Sequence, residues 1–319
     1  MKLIQSFFKL IRWPNLVFIA LTQLLFYFCV FTPLLASPTS YSQNIFFLLL
    51  VIASVFIAAA GYIINDYFDV QIDAINKPNR MVIGKIIKRR WAIVLHWLFS
   101  GIGVGLSFYI SYGTKLWPIL FINIICVFAL WVYSTTFKKK LLIGNLIIAA
   151  LTAWTILVVY FFVGADFFSF EGFYSPATFG HNTYDERRLF KYTLLYAGFA
   201  FIMTLIREVV KDMEDMEGDR KYDCNTMPIA WGVPTTKVFT GVWIVVAATT
   251  LVAVQLYAWQ LGNWISALYF LLFVIAPLFY LLKKFSAANT TADYAKLSTI
   301  IKLIILAGIL SMLLLKFVI

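Results

Sequence analysis

The chain has 319 residues, of which 62% are hydrophobic and 13% charged, with a net charge of +11. Soluble domains carry about 25% charged residues, so the composition excludes a soluble globular protein and indicates an integral membrane protein. Only helices and closed barrels satisfy their backbone inside a bilayer, and the apolar runs are continuous rather than alternating, so an all-α polytopic fold is expected.

The first segment, Met1 to Trp13, is short and amphipathic and lacks an A-x-A-like site, so it does not read as a cleavable signal. Nine spans follow, roughly Pro14–Leu34, Ile45–Ile64, Trp91–Tyr112, Leu116–Tyr133, Leu141–Val163, Phe190–Ile206, Val238–Trp259, Trp264–Leu282 and Leu297–Val318. No soluble domain fits between them, so residues 1–319 read as one transmembrane domain. The long 164–189 loop, rich in Phe, Tyr and Gly, suggests no role. Gly61, Gly101, Gly103 and Gly105 are expected to let helices approach closely.

Twenty of the 26 Lys and Arg residues lie on the flanks that hold the N-terminus and every second loop. That bias makes those flanks cytoplasmic; the bilayer is the cell (inner) membrane. The cations orient the spans, and no nucleic-acid partner is expected. Cys29, Cys126 and Cys224 are scattered, and His96 and His181 lie far apart, so neither a zinc site nor a Ser-His-Asp triad is supported. His96 reads as a helix-packing residue.

Acidity is concentrated instead. Ten of the fifteen acidic residues fall in two stretches, Asp66–Asp73 and Glu208–Asp223. In the first, helical spacing places Asn65, Asp69 and Asp73 on one face with Asp66 beside them. In the second, Asp212, Asp215, Asp219 and Asp223 recur at three- and four-residue intervals. Each stretch follows an apolar span, and both belong to the cytoplasmic flanks. Carboxylates so stacked repel one another unless a cation lies between them, and close-set oxygen ligands suit Mg2+.

Two such clusters with basic residues nearby suggest a metal-bridged polyanion. A diphosphate is clamped by Mg2+ between carboxylates and phosphate oxygens, while Lys77, Arg80, Arg207 and Lys211 either neutralise the remaining charge or merely balance the loops. Clamping makes diphosphate a good leaving group. If the rest of the ligand is an allylic isoprenoid, its departure leaves a delocalised carbocation to be stabilised, and a greasy chain requires apolar walls. A cation-binding transporter is the alternative of another class. It would need ionisable residues deep in several spans, where Lys302 and His96 stand almost alone.

These residues resemble the UbiA superfamily of intramembrane prenyltransferases. Asn65, Asp66, Asp69 and Asp73 match its N-D-x-x-D-x-x-x-D motif, and Asp215 and Asp219 match its D-x-x-x-D. Asn15, within Arg12-Trp13-Pro14-Asn15, looks like the first-helix asparagine that faces the family's cavity. Asp73 to Arg80 looks like the loop after the first motif, and Tyr133-Ser134, Lys138–Lys140 and Gly144-Asn145 look like the fourth-to-fifth-span connection. The resemblance implies nine helices around a central cavity, Mg2+, a prenyl diphosphate donor and a lipophilic acceptor attacking the donor's allylic C1. It implies Asp66, Asp69, Asp73, Asp215 and Asp219 as metal ligands, with Asp66, Asp69 and Asp215 central to catalysis. Asp212 is either a further ligand or a partner of Lys211. Asn65 is either a ligand or a helix cap, and Asn15, Asn65, Lys77, Arg80, Arg207 and Lys211 are the substrate-binding set. The nearest branches build archaeal-type ether lipids or chlorophyll, so a prenylglyceryl phosphate acceptor is expected, with an aromatic acceptor in quinone or chlorophyll-type synthesis as the alternative. Many relatives read R-P-x-x-S-G after the first motif, where this chain has Arg80-Met81-Val82-Ile83-Gly84.

Overall fold

The computed structural model describes residues 2–35, 39–78, 81–163 and 185–316. Among them no β-strand forms, only an isolated bridge between Ile83 and Ile87. Among the described residues nine helices are long and apolar enough to cross a membrane, one for each expected span.

The chain opens with α1 (Lys2–Leu10) and α2 (Trp13–Leu25), which passes through a π-helical stretch, Phe26–Phe31. Then come α3 (Tyr41–Phe68), α4 (Val70–Asn76), α5 (Arg89–Thr114), α6 (Trp117–Thr135) and α7 (Ile143–Val163). After these run α8 (Glu186–Glu214), α9 (Met216–Lys221), α10 (Met227–Ala230) and α11 (Gly232–Gln260). The last are α12 (Trp264–Phe270), which continues through a second π-helical stretch into α13 (Ala276–Ala287), then α14 (Thr291–Leu310) and α15 (Met312–Leu315).

The helices extend past the expected spans where polar residues cap them. α3 starts at Tyr41 because the Ser40 hydroxyl accepts the Gln43 N–H at 3.1 Å. α14 starts at Thr291 because Thr290 and Asp293 form a reciprocal capping box. α8 begins at Glu186, inside the expected 164–189 loop, whose residues 164–184 lie outside the described set. The second π-helical stretch, Leu271–Ile275, directly precedes Pro277, whose missing N–H leaves an upstream carbonyl without its usual donor.

Two compact units divide the chain: residues Met1–Thr136 with Trp154–Leu194, and Phe137–Ala153 with Leu195–Ile319. In the first, α3 packs along α2, α5 and α6. A Cβ on Gly61 would lie 2.9 Å from the Leu130 side chain of α6, and one on Gly103 would lie 2.6 Å from Ile57 of α3, so both glycines permit close approach as expected. Gly101 and Gly105 face open space, which corrects the expectation for them. His96 is buried and donates from Nδ1 to the Ala60 carbonyl at 3.0 Å, tying α5 to α3. Gly103→Val therefore overpacks the α3–α5 contact and is expected to lower stability by about 1–3 kcal/mol, read as a drop in the detergent-solubilised melting temperature.

In the second unit, Leu251 of α11, Val274, Leu278 and Leu281 around the π-helical stretch, and Tyr294 and Ile301 of α14 form one buried core with Met203, Ile206, Val210 and Met213 of α8. A smaller cluster joins Ala149 of α7 to Leu205 and Val209 of α8 and Met227 of α10.

Candidate active site

The first acidic stretch is built at the end of α3. The helix stops at Phe68, Asp69 takes φ −83° and ψ −2°, and the chain resumes as α4. Residues near this bridge conformation recur at active sites. The hydrogen-bond ladder nevertheless runs through the break: Asp69 N–H donates to Asn65 O at 3.0 Å, Asp73 N–H to Asp69 O at 2.8 Å, and Lys77 N–H to Asp73 O at 2.9 Å. The four-residue stacking expected from the sequence is thus preserved, and it extends to Lys77.

Asn65 Nδ2 donates to Asp69 Oδ2 at 2.7 Å, both residues being buried. Asn65 is therefore not a simple cap: its amide fixes one oxygen of the next motif residue. Its own Oδ1 is buried and accepts no hydrogen bond among the described residues. A buried amide oxygen so exposed to an unmet desolvation cost is a ready ligand for a hard cation.

Asp66 points elsewhere. Arg12 Nη2 donates to its Oδ1 at 2.6 Å, and the same guanidinium lies 5.1 Å from the Tyr62 ring centroid. Burial works against the Arg12 charge, but the Asp66 carboxylate outweighs it, aided by Tyr62, and raises its pKa. Arg12 adopts a left-handed φ of 50° at the junction of α1 and α2. Asn15 is half-buried in the first turn of α2, where its N–H donates to Arg12 O at 2.8 Å. On the other side of the motif, the Arg89 guanidinium stacks 4.6 Å from the Tyr67 ring centroid. Arg80 lies outside the described residues.

The second stretch repeats this local build within its own unit. α8 stops at Glu214, Asp215 takes φ −97° and ψ 6°, and α9 follows. Asp215 N–H donates to Lys211 O at 2.8 Å and Asp219 N–H to Asp215 O at 3.2 Å, so the ladder again passes through the break. Asp219 is buried. Upstream, the buried Glu208 carboxylate takes Arg207 Nη1 at 2.7 Å on one oxygen and Lys211 Nζ at 2.9 Å on the other. Arg207 keeps a buried Nε with no hydrogen-bond partner among the described residues, a donor open to a further anion oxygen.

Asp212 was open between metal ligand and partner of Lys211. Lys211 reaches Glu208, and Asp212 Oδ2 instead accepts Asn145 Nδ2 at 2.8 Å. Beyond the motif, Asn225 N–H donates to Lys139 O at 2.8 Å, so the 137–145 connection contacts Asp212 within the stretch and Asn225 just after it.

Sequence reasoning missed three participants. Arg12 shows in the sequence only as a neighbour of Asn15, although a cation next to a motif asparagine is a usable signal. Asn145 was noted without a role. Glu208 stood one helical turn before Asp212, but nothing in the sequence showed that it holds both cations.

Among the described residues no three His, Cys, Asp or Glu side chains gather closely enough to form a metal cage. Mg2+ ordinarily binds through one or two carboxylates, waters and substrate phosphates rather than through an all-protein cage. The buried Asn65 oxygen in the first stretch, and the carboxylates at each helix break within its own unit, are oxygen donors of the kind Mg2+ takes.

A helical polytopic membrane protein with two carboxylate-bearing helix breaks is a recognisable class. Residues 24–311 match the UbiA prenyltransferase family. The chain is 31% identical over 236 residues to the digeranylgeranylglyceryl phosphate synthase of Methanosphaera stadtmanae, covering 74% of this chain and 74% of that one. A solved structure from work on digeranylgeranylglyceryl phosphate synthase in membranes is 25% identical, with a TM-score of 0.56 over 98% of this chain and 99% of that one. A UbiA homologue from Archaeoglobus fulgidus bound to GPP and Mg2+ is 15% identical, with a TM-score of 0.57 over 96% of this chain and 99% of that one, and shares the fold. The chain belongs to the UbiA prenyltransferase family. It is a prenyltransferase and an integral, multi-pass membrane protein.

Proposed function

We propose that this enzyme transfers a prenyl group from an isoprenoid diphosphate to a prenylglyceryl phosphate, with Mg2+, in the membrane. The observation that carries the reading is the repeated build of the two motifs: each ends an apolar helix on a broken turn and keeps its carboxylates in helical register. The relatives named digeranylgeranylglyceryl phosphate synthase support the acceptor class. The Archaeoglobus homologue with GPP and Mg2+ supports the donor class and the metal.

Asp66, Asp69 and Asp73, with Asn65 Oδ1, would hold Mg2+ at the first break, and Asp212, Asp215 and Asp219 at the second. Bound there, Mg2+ would supply the positive charge that eases departure of the diphosphate. Arg207, with its open Nε, Lys211, Lys77 and Arg80 are the residues assigned to the phosphate oxygens, and Asn15 is assigned to the prenyl chain. The C1–O bond breaks with its electron pair on the leaving pyrophosphate, the acceptor hydroxyl oxygen forms the new C–O bond, and its proton leaves with the pyrophosphate. The distribution of Lys and Arg supports a cytoplasmic position for both motifs. Purified protein with labelled geranylgeranyl diphosphate, Mg2+ and a prenylglyceryl phosphate should give an ether adduct by mass spectrometry. An adduct only with 4-hydroxybenzoate, a naphthoate or a chlorophyllide would replace the acceptor assignment.

A further inference from the structure

Asp212 follows a lysine directly in sequence, yet its carboxylate accepts a hydrogen bond from a neutral amide. Lys211, next in sequence, reaches the Glu208 carboxylate at 2.9 Å, and Arg207 reaches the other Glu208 oxygen at 2.7 Å. Asp212 Oδ2 instead accepts the Asn145 amide at 2.8 Å. A hydrogen bond from a neutral donor orients a carboxylate without cancelling its charge, whereas a salt bridge does both. A carboxylate with one oxygen fixed by a neutral donor keeps the other in a set direction for a cation, and such orientation from the outer shell tunes metal affinity.

The local structure fixes Asn145 for this task. Asn145 is buried in the first turn of α7. The preceding Gly144 sits where a Cβ would meet the Phe137 carbonyl oxygen at 2.8 Å, so the connection folds tightly against its own backbone. The same connection accepts Asn225 N–H on the Lys139 carbonyl at 2.8 Å. Residues 137–145 thus bracket the second acidic stretch, gripping Asp212 before the Asp215 break and Asn225 after Asp219.

We propose that Asn145 is a positioning residue: it holds Asp212 Oδ2 so that the remaining carboxylate oxygen is presented to Mg2+. The inference rests on the metal-diphosphate reading above. Its test is binding of Mn2+, as a Mg2+ surrogate, to the purified full chain in detergent with inorganic pyrophosphate, followed by the loss of the free Mn2+ electron paramagnetic resonance signal. Asn145→Ala is expected to weaken Mn2+ binding by roughly tenfold or more, the range seen when an outer-shell partner is lost, while the ligand-free melting temperature stays close to that of wild type. Asn145→Leu, which removes the donor but fills the volume, gives the same weakening and decides the matter if the alanine variant fails to fold. Asn145→Gln, which keeps an amide donor, recovers part of the affinity. Undiminished Mn2+ binding in the alanine and leucine variants overturns the inference alone. A wild type that binds no Mn2+ with pyrophosphate overturns the metal reading itself, and this inference with it.

Discussion

Asp69→Ala and Asp215→Ala are each expected to remove prenyl transfer, by about 10²–10³-fold or more if the charge they supply acts on the transition state. Neither residue has a backbone that demands its side chain: φ −83°, ψ −2° and φ −97°, ψ 6° are open to most residues, so both helix breaks survive substitution. Asp69 carries a structural duty, since it accepts the Asn65 amide at 2.7 Å. Asp69→Ala strands that buried donor at about 1–3 kcal/mol, so Asp69→Asn is the cleaner variant: its carbonyl still accepts the bond while the charge is gone. Loss of product with Asp69→Asn at wild-type melting temperature assigns the effect to charge. Full activity in the Asp69 and Asp215 variants together removes the diphosphate clamp.

The second large effect falls on stability. Glu208 is buried and takes Arg207 on one oxygen and Lys211 on the other. Removing one partner of such a cluster leaves charge in a poorly solvated place, which costs about 3–5 kcal/mol when a fully buried pair is broken. The arginine and lysine side chains here are 16% and 24% exposed, so the lower end of that range is expected for Glu208→Ala. Glu208→Gln, which keeps both acceptor geometry and volume, should lose less. Thermal unfolding in detergent reads both, and an alanine variant as stable as wild type contradicts the assignment of Glu208 as the anchor of the two cations.

The sequence was most informative where one physical rule dominated. Continuous apolar runs of bilayer length anticipated the nine membrane-crossing helices among the described residues, since hydrocarbon admits only helices and closed barrels and barrel strands would alternate. Four-residue spacing of Asn65, Asp69 and Asp73 gave a shared face, and the hydrogen bonds through Asp69 keep it. The breaks at Asp69 and Asp215 were not legible. Neither holds a Gly or Pro, and each depends on how the helix end meets its surroundings. Side-chain partners were less legible still. Arg12 reaches Asp66 across 54 residues and Asn145 reaches Asp212 across 67, and no local pattern encodes contacts at that range. Gly103 was separable from Gly101 and Gly105 only once the face of α5 against Ile57 was known.

The most direct measurement is an experimental structure of the enzyme with an uncleavable prenyl thiolodiphosphate and Mn2+, the metal located by anomalous scattering. If one diphosphate is shared by the two helix breaks, metal positions appear with oxygen ligands from Asn65, Asp66, Asp69 or Asp73 on one side and from Asp212, Asp215 or Asp219 on the other, the diphosphate between them. Metal and diphosphate held by one acidic stretch alone, with the other stretch facing only solvent, would contradict the shared clamp.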